Sequence, residues 1–243
     1  MKKLVILSTD TLHHRYFVNR ILDAGIDITA VIFETTHVEP PFHTGPLFEE
    51  EENAFEEENF FKDVRKDLDR VQVDTVKSVN DDQCKALLQK YQPDYGCLFG
   101  TRKVKPHVIE AYKDLLLNVH RGIPHRYRGV DSDLWAIYHR DWDNIGTAIH
   151  KVDVTLDTGK FAGMDRLKLK KGMKIWQLRY YTTVIGTDIM IRAFKDYLAG
   201  NLEFTPQEKV GRYYSFMPLC LKKTMVPKFN NYCGKLGKNA EHF

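Results

Sequence analysis

Three side chains in this sequence suit one piece of chemistry. Asn118 and His120 stand two apart in LLLNVHRGIPHRYRG (115–129), and Asp157 lies in HKVDVTLDTG (150–159), just ahead of a Thr-Gly step. An amide, an imidazole and a carboxylate brought to one spot can move an acyl group without a covalent enzyme intermediate. When an amine attacks a carbonyl carbon, the amide N–H can bond the oxygen as negative charge develops on it. Losing one such donor costs roughly 3–4 kcal/mol of transition-state stabilisation. The imidazole can take the amine's proton or stand as an imidazolium beside the oxyanion. The carboxylate favours that charged form and can order a water that shuttles protons. Such positioned acid–base help is worth about 10² to 10⁴ in rate. No Ser or Cys nucleophile is required.

Each residue type also has an ordinary use. Asn at a strand end is a turn former, a lone His is commonly core or surface, and Asp before Thr-Gly is common turn chemistry. What sets these three apart is the elements that must position them. Alternate residues of a strand point to one side, so Asn118 and His120 near the end of LLLNVH can face one crevice. In open α/β sheets that crevice lies outside the carboxyl ends of the strands. Asp157 falls in the turn between the next two strand-like segments, GTAIHKVDV and KFAGMDRLKL, and can lean over the same edge.

The first half of the chain alternates strand and helix signals. KLVILS (3–8), IDITAVIF (26–33), VDTV (73–76), DYGCLFG (94–100) and LLLNVH (115–120) read as strands. Between them, Asp10 or Thr11 can cap a helix with an apolar stripe of Phe17, Val18, Ile21 and Leu22, ended by Gly25. Asn80 or Asp81 can cap another through Ala86, Leu87 and Leu88, and a helical segment follows Pro106. This βαβ rhythm predicts an α/β fold, a mostly parallel sheet covered on both faces.

Residues 37–63 interrupt the rhythm with Pro40, Pro41, Gly45 and Pro46, then FEEEENAFEEENFF. That stretch reads as an amphipathic insertion that docks Phe48, Phe55 and Phe60 and turns its glutamates to water. A long helix is expected from about Met173 to Ala199. The chain therefore divides into a catalytic domain, 1–200, and a short β-rich tail, 201–243. Tyr213, Tyr214, Phe216 and Met217 of the tail are candidates for a homodimer interface.

Composition narrows the function. The formal charge is +3 over 243 residues, with acids and bases mixed, so no concentrated basic face argues for nucleic acid. Cys84, Cys97, Cys220 and Cys233 form no C-x-x-C pair, which fits free thiols in a cytoplasmic protein. No apolar run approaches the roughly 20 residues that span a bilayer, and no signal-peptide pattern precedes the first strand. His120 and His125 lack a carboxylate partner on a regular element, so no metal is expected.

The order N-V-H, R-Y-R-G, W-A-I, G-x-x-x-H and D-T-G resembles the 10-formyltetrahydrofolate-dependent formyltransferase family. Its Asn-x-His matches Asn118 and His120, its strand His matches His150, and its Asp, seven residues on, matches Asp157. The chain departs from the family at Arg121, where Pro is usual, and at Pro124-His125. The resemblance implies a Rossmann-like, doubly wound formyltransferase fold with 10-formyltetrahydrofolate as co-substrate. It places the folate against Phe99, Gly100, Arg102, Lys103 and Val104 and against Asp153, Thr155 and Leu156.

Within the family, the first βα turn here lacks the glycines that cradle a phosphate in purine-pathway members. The tail is too short for the β-barrel of members that formylate initiator tRNA, and the folate-hydrolysing members' N-terminal domain has no counterpart ahead of the first strand. The remaining likeness is to the sugar N-formyltransferases, which act on dTDP- or GDP-linked amino-deoxysugars. That implies a nucleotide-linked amino sugar as acceptor, with Thr9, His13, His14, Arg15, Arg126, Tyr127 and Arg128 as candidate contacts. Another small amine as acceptor, and a non-catalytic folate- or nucleotide-binding module on the same fold, are the alternatives.

Overall fold

In a computed structural model that describes residues 1–237, nine strands and seven helices follow in chain order. The first half runs β1 (Leu4–Ser8), α1 (Leu12–Asp23), β2 (Ala30–Glu34), α2 (Glu49–Phe60), β3 (Val73–Val76), α3 (Asp82–Tyr91), β4 (Tyr95–Phe99), α4 (Pro106–Ile109) and β5 (Leu115–His120). The second half runs β6 (Tyr127–Gly129), α5 (Ser132–Tyr138), β7 (Gly146–Lys151), β8 (Phe161–Arg166), α6 (Leu178–Leu198), β9 (Arg212–Tyr214) and α7 (Leu219–Lys235).

Seven strands form one sheet in the order β3-β2-β1-β4-β5-β7-β8. The first five are parallel, and β7 and β8 close the edge antiparallel. The expected mostly parallel α/β architecture is therefore the observed one. Strand alternation builds its two faces. Leu4 and Ile6 of β1 turn to a cluster with Phe17 and Ile21 of α1 and Ile189 and Phe194 of α6. Val5 and Leu7 turn the other way, to Leu88 of α3 and Val108 of α4. Burying each such side chain is worth about 1.5–3 kcal/mol, so the sheet is held from both sides. The direction of winding reverses between β1 and β4, which opens a crevice at their carboxyl ends.

Two expectations are corrected. The tail is not β-rich: it gives one short strand, β9, paired in parallel with β6, and then the helix α7. Leu221, Met225, Phe229 and Cys233 recur every fourth residue, one helical stripe. That stripe packs into a third cluster with Leu134 and Ile137 of α5 and Leu178 of α6, where Met217 is also fully buried. Tyr213 stays exposed. The last six residues of the expected tail lie outside the described ones.

The acidic insertion does form a helix and does bury Phe60, but its glutamates do not all face water. Glu56 is 1% exposed. Arg179, in the first turn of α6, grips Glu56 (Nε–Oε1 2.6 Å) and Glu52 (Nη1–Oε2 2.7 Å). A guanidinium that no apolar pattern advertises has pulled two carboxylates inward.

Candidate active site

The antiparallel pairing of β5 with β7 sets Asn118 directly opposite His150. Asn118 Nδ2 lies 3.1 Å from His150 Nε2. The same His150 nitrogen is 3.3 Å from Asp157 Oδ1, and the other carboxylate oxygen is 3.6 Å from His120 Nδ1. Asn118, His120 and Asp157 thus converge at the sheet's carboxyl rim as the sequence expects, and His150 stands between them. All but the half-buried Asn118 are buried.

Asp157 reaches this position through a specific turn. Its φ is +53°, the left-handed region that Asp tolerates better than most residues. Arg128 Nη1 donates to Leu156 O at 3.0 Å, while its Nε holds Gly211 O at 2.7 Å. Gln207 Nε2 donates to Asp157 O and Gly159 O. Asp153 accepts from Thr155 N and Thr158 Oγ1 across the turn. At Gly159 an added Cβ would meet Lys151 O at 1.7 Å, so only glycine lets the turn close on β7.

The electrostatics follow from these contacts. Burial opposes ionisation of Asp157, but His120, His150 and the Gly129 N–H (2.8 Å) outweigh it and hold the carboxyl well below its usual range. His120 Nε2 lies 2.9 Å from Tyr127 O, so both ring nitrogens face acceptors. Ser132 Oγ is 3.4 Å from His120 Nε2, but it donates to Tyr127 O at 3.3 Å and is buried, bracing the same carbonyl.

The loop after β4 leaves the sheet beside this cluster, because Phe99 is registered against Val119. Gly100 has φ +77°, and a Cβ there would come within 2.5 Å of His14 Nε2. Asn80 ties the loop down, donating to Lys103 O and accepting from Lys105 N. Val104 is buried at its base and Lys103 is exposed. Arg102, expected beside the folate, has its guanidinium on Glu34 (2.5 Å) and Thr36.

The first βα turn places His13 and His14 against Phe99. Thr9 and Thr11 both bond His14 Nδ1, and its Nε2 is buried with no partner among the described residues. Burial holds both imidazoles well below their ordinary value, and Arg121 adds to it. Arg15 is paired outside this group with Asp10. Tyr127 bonds Asp141 through its hydroxyl, Arg128 is committed to backbone as above, and Arg126 is exposed.

Sequence reasoning missed Glu52, Glu56, Arg121 and Arg179. Arg121 and Arg179 act electrostatically on His13, His14 and Glu52. The one available signal was the acidic run itself, which needed a buried cation from a distant helix to make sense. Among the described residues no group of three or more His, Cys, Asp or Glu is arranged to hold a metal ion.

A family model described as formyl transferase matches residues 4–192, from β1 into α6, and so takes in the whole cluster. The chain belongs to the formyl transferase family. A methionyl-tRNA formyltransferase of Finegoldia magna is 28% identical over 128 residues, 52% of this chain and 41% of that protein. This chain therefore spans less than half the length of that curated relative. Among solved structures, a 4-N formyltransferase from Francisella tularensis superposes with a TM-score of 0.61 at 14% identity, covering 88% of this chain and 76% of that one. PseJ from Anoxybacillus kamchatkensis, solved with UDP-4,6-dideoxy-4-formamido-L-AltNAc and tetrahydrofolate, gives 0.55 at 17% identity, over 88% and 85% of the two chains. At such identities the superpositions establish the formyltransferase fold.

Proposed function

We propose that the protein transfers the formyl group of 10-formyltetrahydrofolate to the amino group of a nucleotide-linked amino-deoxysugar, dTDP- or GDP-linked. The observation that carries the reaction is the meeting of Asn118, His120, His150 and Asp157 at the rim of the sheet, beside a glycine-bearing loop. The family's folate co-substrate suits that loop. Gly100 admits close backbone approach, and the orphaned His14 Nε2 next to it offers a ring nitrogen to a polar ligand.

The chemistry then follows atom by atom. The acceptor amine attacks the formyl carbon, and Asn118 donates to the formyl oxygen as it becomes an oxyanion. His120, held between Tyr127 O and Asp157, flanks that oxygen. Asp157 orders the water that takes the proton from the attacking nitrogen and delivers it to the folate nitrogen. The bond between that nitrogen and the formyl carbon breaks, leaving a formamide and tetrahydrofolate.

The acceptor reading draws on the likeness to proteins such as PseJ, whose structure holds a formamido sugar nucleotide. A second reading, an aminoacyl-tRNA acceptor, draws on the sequence relatives, which are methionyl-tRNA formyltransferases. Incubation with 10-formyltetrahydrofolate and each acceptor separates them: the true acceptor shows saturable formylation and the other does not. We further read the enzyme as a cytoplasmic homodimer joined through the exposed Tyr213 region, with residues 201–237 of the tail bracing the catalytic part. A mass measurement in solution tests the dimer.

A further inference from the structure

Between β7 and β8 the chain turns through residues 153–159 without a backbone–backbone hydrogen bond among the described residues. The place of the Asp157 carboxylate therefore depends on side chains. Asp153 shapes the turn from within, through Thr155 N and Thr158 Oγ1. Arg128 holds it one residue before Asp157, at Leu156 O. The backbone of Asp157 itself has a single hydrogen-bond partner among the described residues, Gln207 Nε2, 2.9 Å from Asp157 O. The same nitrogen donates to Gly159 O at 2.8 Å.

A primary amide carries two N–H groups on one nitrogen, and here they meet the carbonyls on either side of Thr158. Turning the amide over would set its oxygen against both carbonyls, so the two acceptors fix its orientation. Oε1 is left buried, without a partner among the described residues. Gln207 is delivered by a segment pinned at both ends. Thr205 exchanges two backbone bonds, 2.8 and 2.9 Å, with Phe161 at the start of β8. Gly211 O is held by Arg128 Nε, and β9 pairs with β6 just beyond. The left-handed backbone at Asp157 persists only where its surroundings hold it. All of the segment 205–214 lies beyond residues 4–192, the stretch that the family model matches.

We infer that Gln207 is a positioning residue for formyl transfer, and that the segment 205–214 is thereby part of the catalytic apparatus. Gln207 touches no reacting atom. It acts through the backbone of Asp157 and so sets where the carboxylate stands against His120 and His150. A misplacement of about 1 Å can cost roughly 10²-fold in rate. This role rests on the reading of Asp157 as the carboxylate that orders the proton-carrying water.

The test is a double-mutant cycle on the intact protein. It uses 10-formyltetrahydrofolate and whichever acceptor the wild type formylates among dTDP-, GDP- and UDP-linked amino sugars and methionyl-tRNA. The variants are Gln207→Met, close in length but without a donor, Asp157→Asn, and the two together, with melting curves to verify folding. Gln207→Met should lower kcat by about 10- to 10²-fold and leave both KM values nearly unchanged. In the Asp157→Asn background the same change should cost nothing further, because the two residues act as one unit. A brace with no catalytic part would lower the melting temperature and leave kcat alone. Gln207→Glu gives a second readout. As pH falls from about 8 to about 5.5 its carboxyl gains a proton and can donate again, so its kcat relative to wild type should rise. If Gln207→Met does not fold, this ratio decides alone. Unchanged kcat in Gln207→Met, an equal fall in both backgrounds, a change confined to KM, or a pH-independent ratio for Gln207→Glu would overturn the proposal while Asp157 keeps its role. Asp157→Asn as fast as wild type, or no formylation of any acceptor, would instead fail the functional reading beneath it.

Discussion

Asp157 Oδ2 lies 3.6 Å from His120 Nδ1, although one residue comes from a sheet-edge turn and the other from the end of a parallel strand. The same oxygen accepts from Gly129 N. Asp157→Asn can keep that backbone bond through its amide oxygen, so the turn survives while the charge is lost. The expected outcome is a fall in kcat of about 10² to 10⁴, with the thermal midpoint at neutral pH moving far less than a buried-core truncation would move it. Steady-state kinetics alongside a melting curve checks both halves.

Arg128 touches no reacting atom in this account. It clamps Leu156 O and Gly211 O with two arms of one guanidinium. Lysine cannot reproduce that fork. Arg128→Lys should lower kcat by up to about 10²-fold through misplacement of Asp157, while Arg128→Ala should do no less. A change confined to the acceptor's KM would instead make Arg128 a substrate contact.

Glu52 gives a pH signature. Burial pushes its carboxyl up from 4.5 to about 7; Arg179 and Arg121 work against the rise, and Glu56 and Asp133 add to it. The folded state therefore holds this proton more tightly than the unfolded chain. Its contribution to stability is full below pH 4.5 and is lost as pH climbs toward 7. Glu52→Gln removes that dependence, a difference of about 3 kcal/mol across the window. Urea unfolding at several pH values between these limits reads it directly, and parallel wild-type and variant curves would refute it.

Gly100 sits at φ +77° with His14 Nε2 in the space a Cβ would take. Gly100→Ala should cost about 1–3 kcal/mol from the backbone alone. It should also raise the KM for 10-formyltetrahydrofolate more than the KM for the acceptor. Equal effects on the two would separate this loop from the folate.

Much of this was legible in the chain. The βαβ rhythm gave the five parallel strands because buried strands and their capped helices leave local marks, such as Asp81 accepting from Cys84 N at the start of α3. Asn118 and His120 were readable through strand alternation. The pairing that sets His150 against Asn118 was not, because register between β5 and β7 depends on a long connection rather than on a neighbouring residue. The stripe of α7 was present at four-residue spacing but was masked by the denser GRYYSFMP cluster before it. Arg179 offered no signal until α6 and α2 were packed, since its partners are more than a hundred residues away.

The most direct test of formyl transfer at this cluster is mass spectrometry of acceptors incubated with 10-formyltetrahydrofolate, with wild type and Asn118→Ala run side by side. Acceptors are dTDP-, GDP- and UDP-linked amino sugars and methionyl-tRNA. The account predicts that one sugar nucleotide gains a single formyl group as tetrahydrofolate appears in equal amount, and that Asn118→Ala slows this by about 10² to 10³. Formylation at an undiminished rate in Asn118→Ala, or none of any acceptor by the wild type, would contradict it.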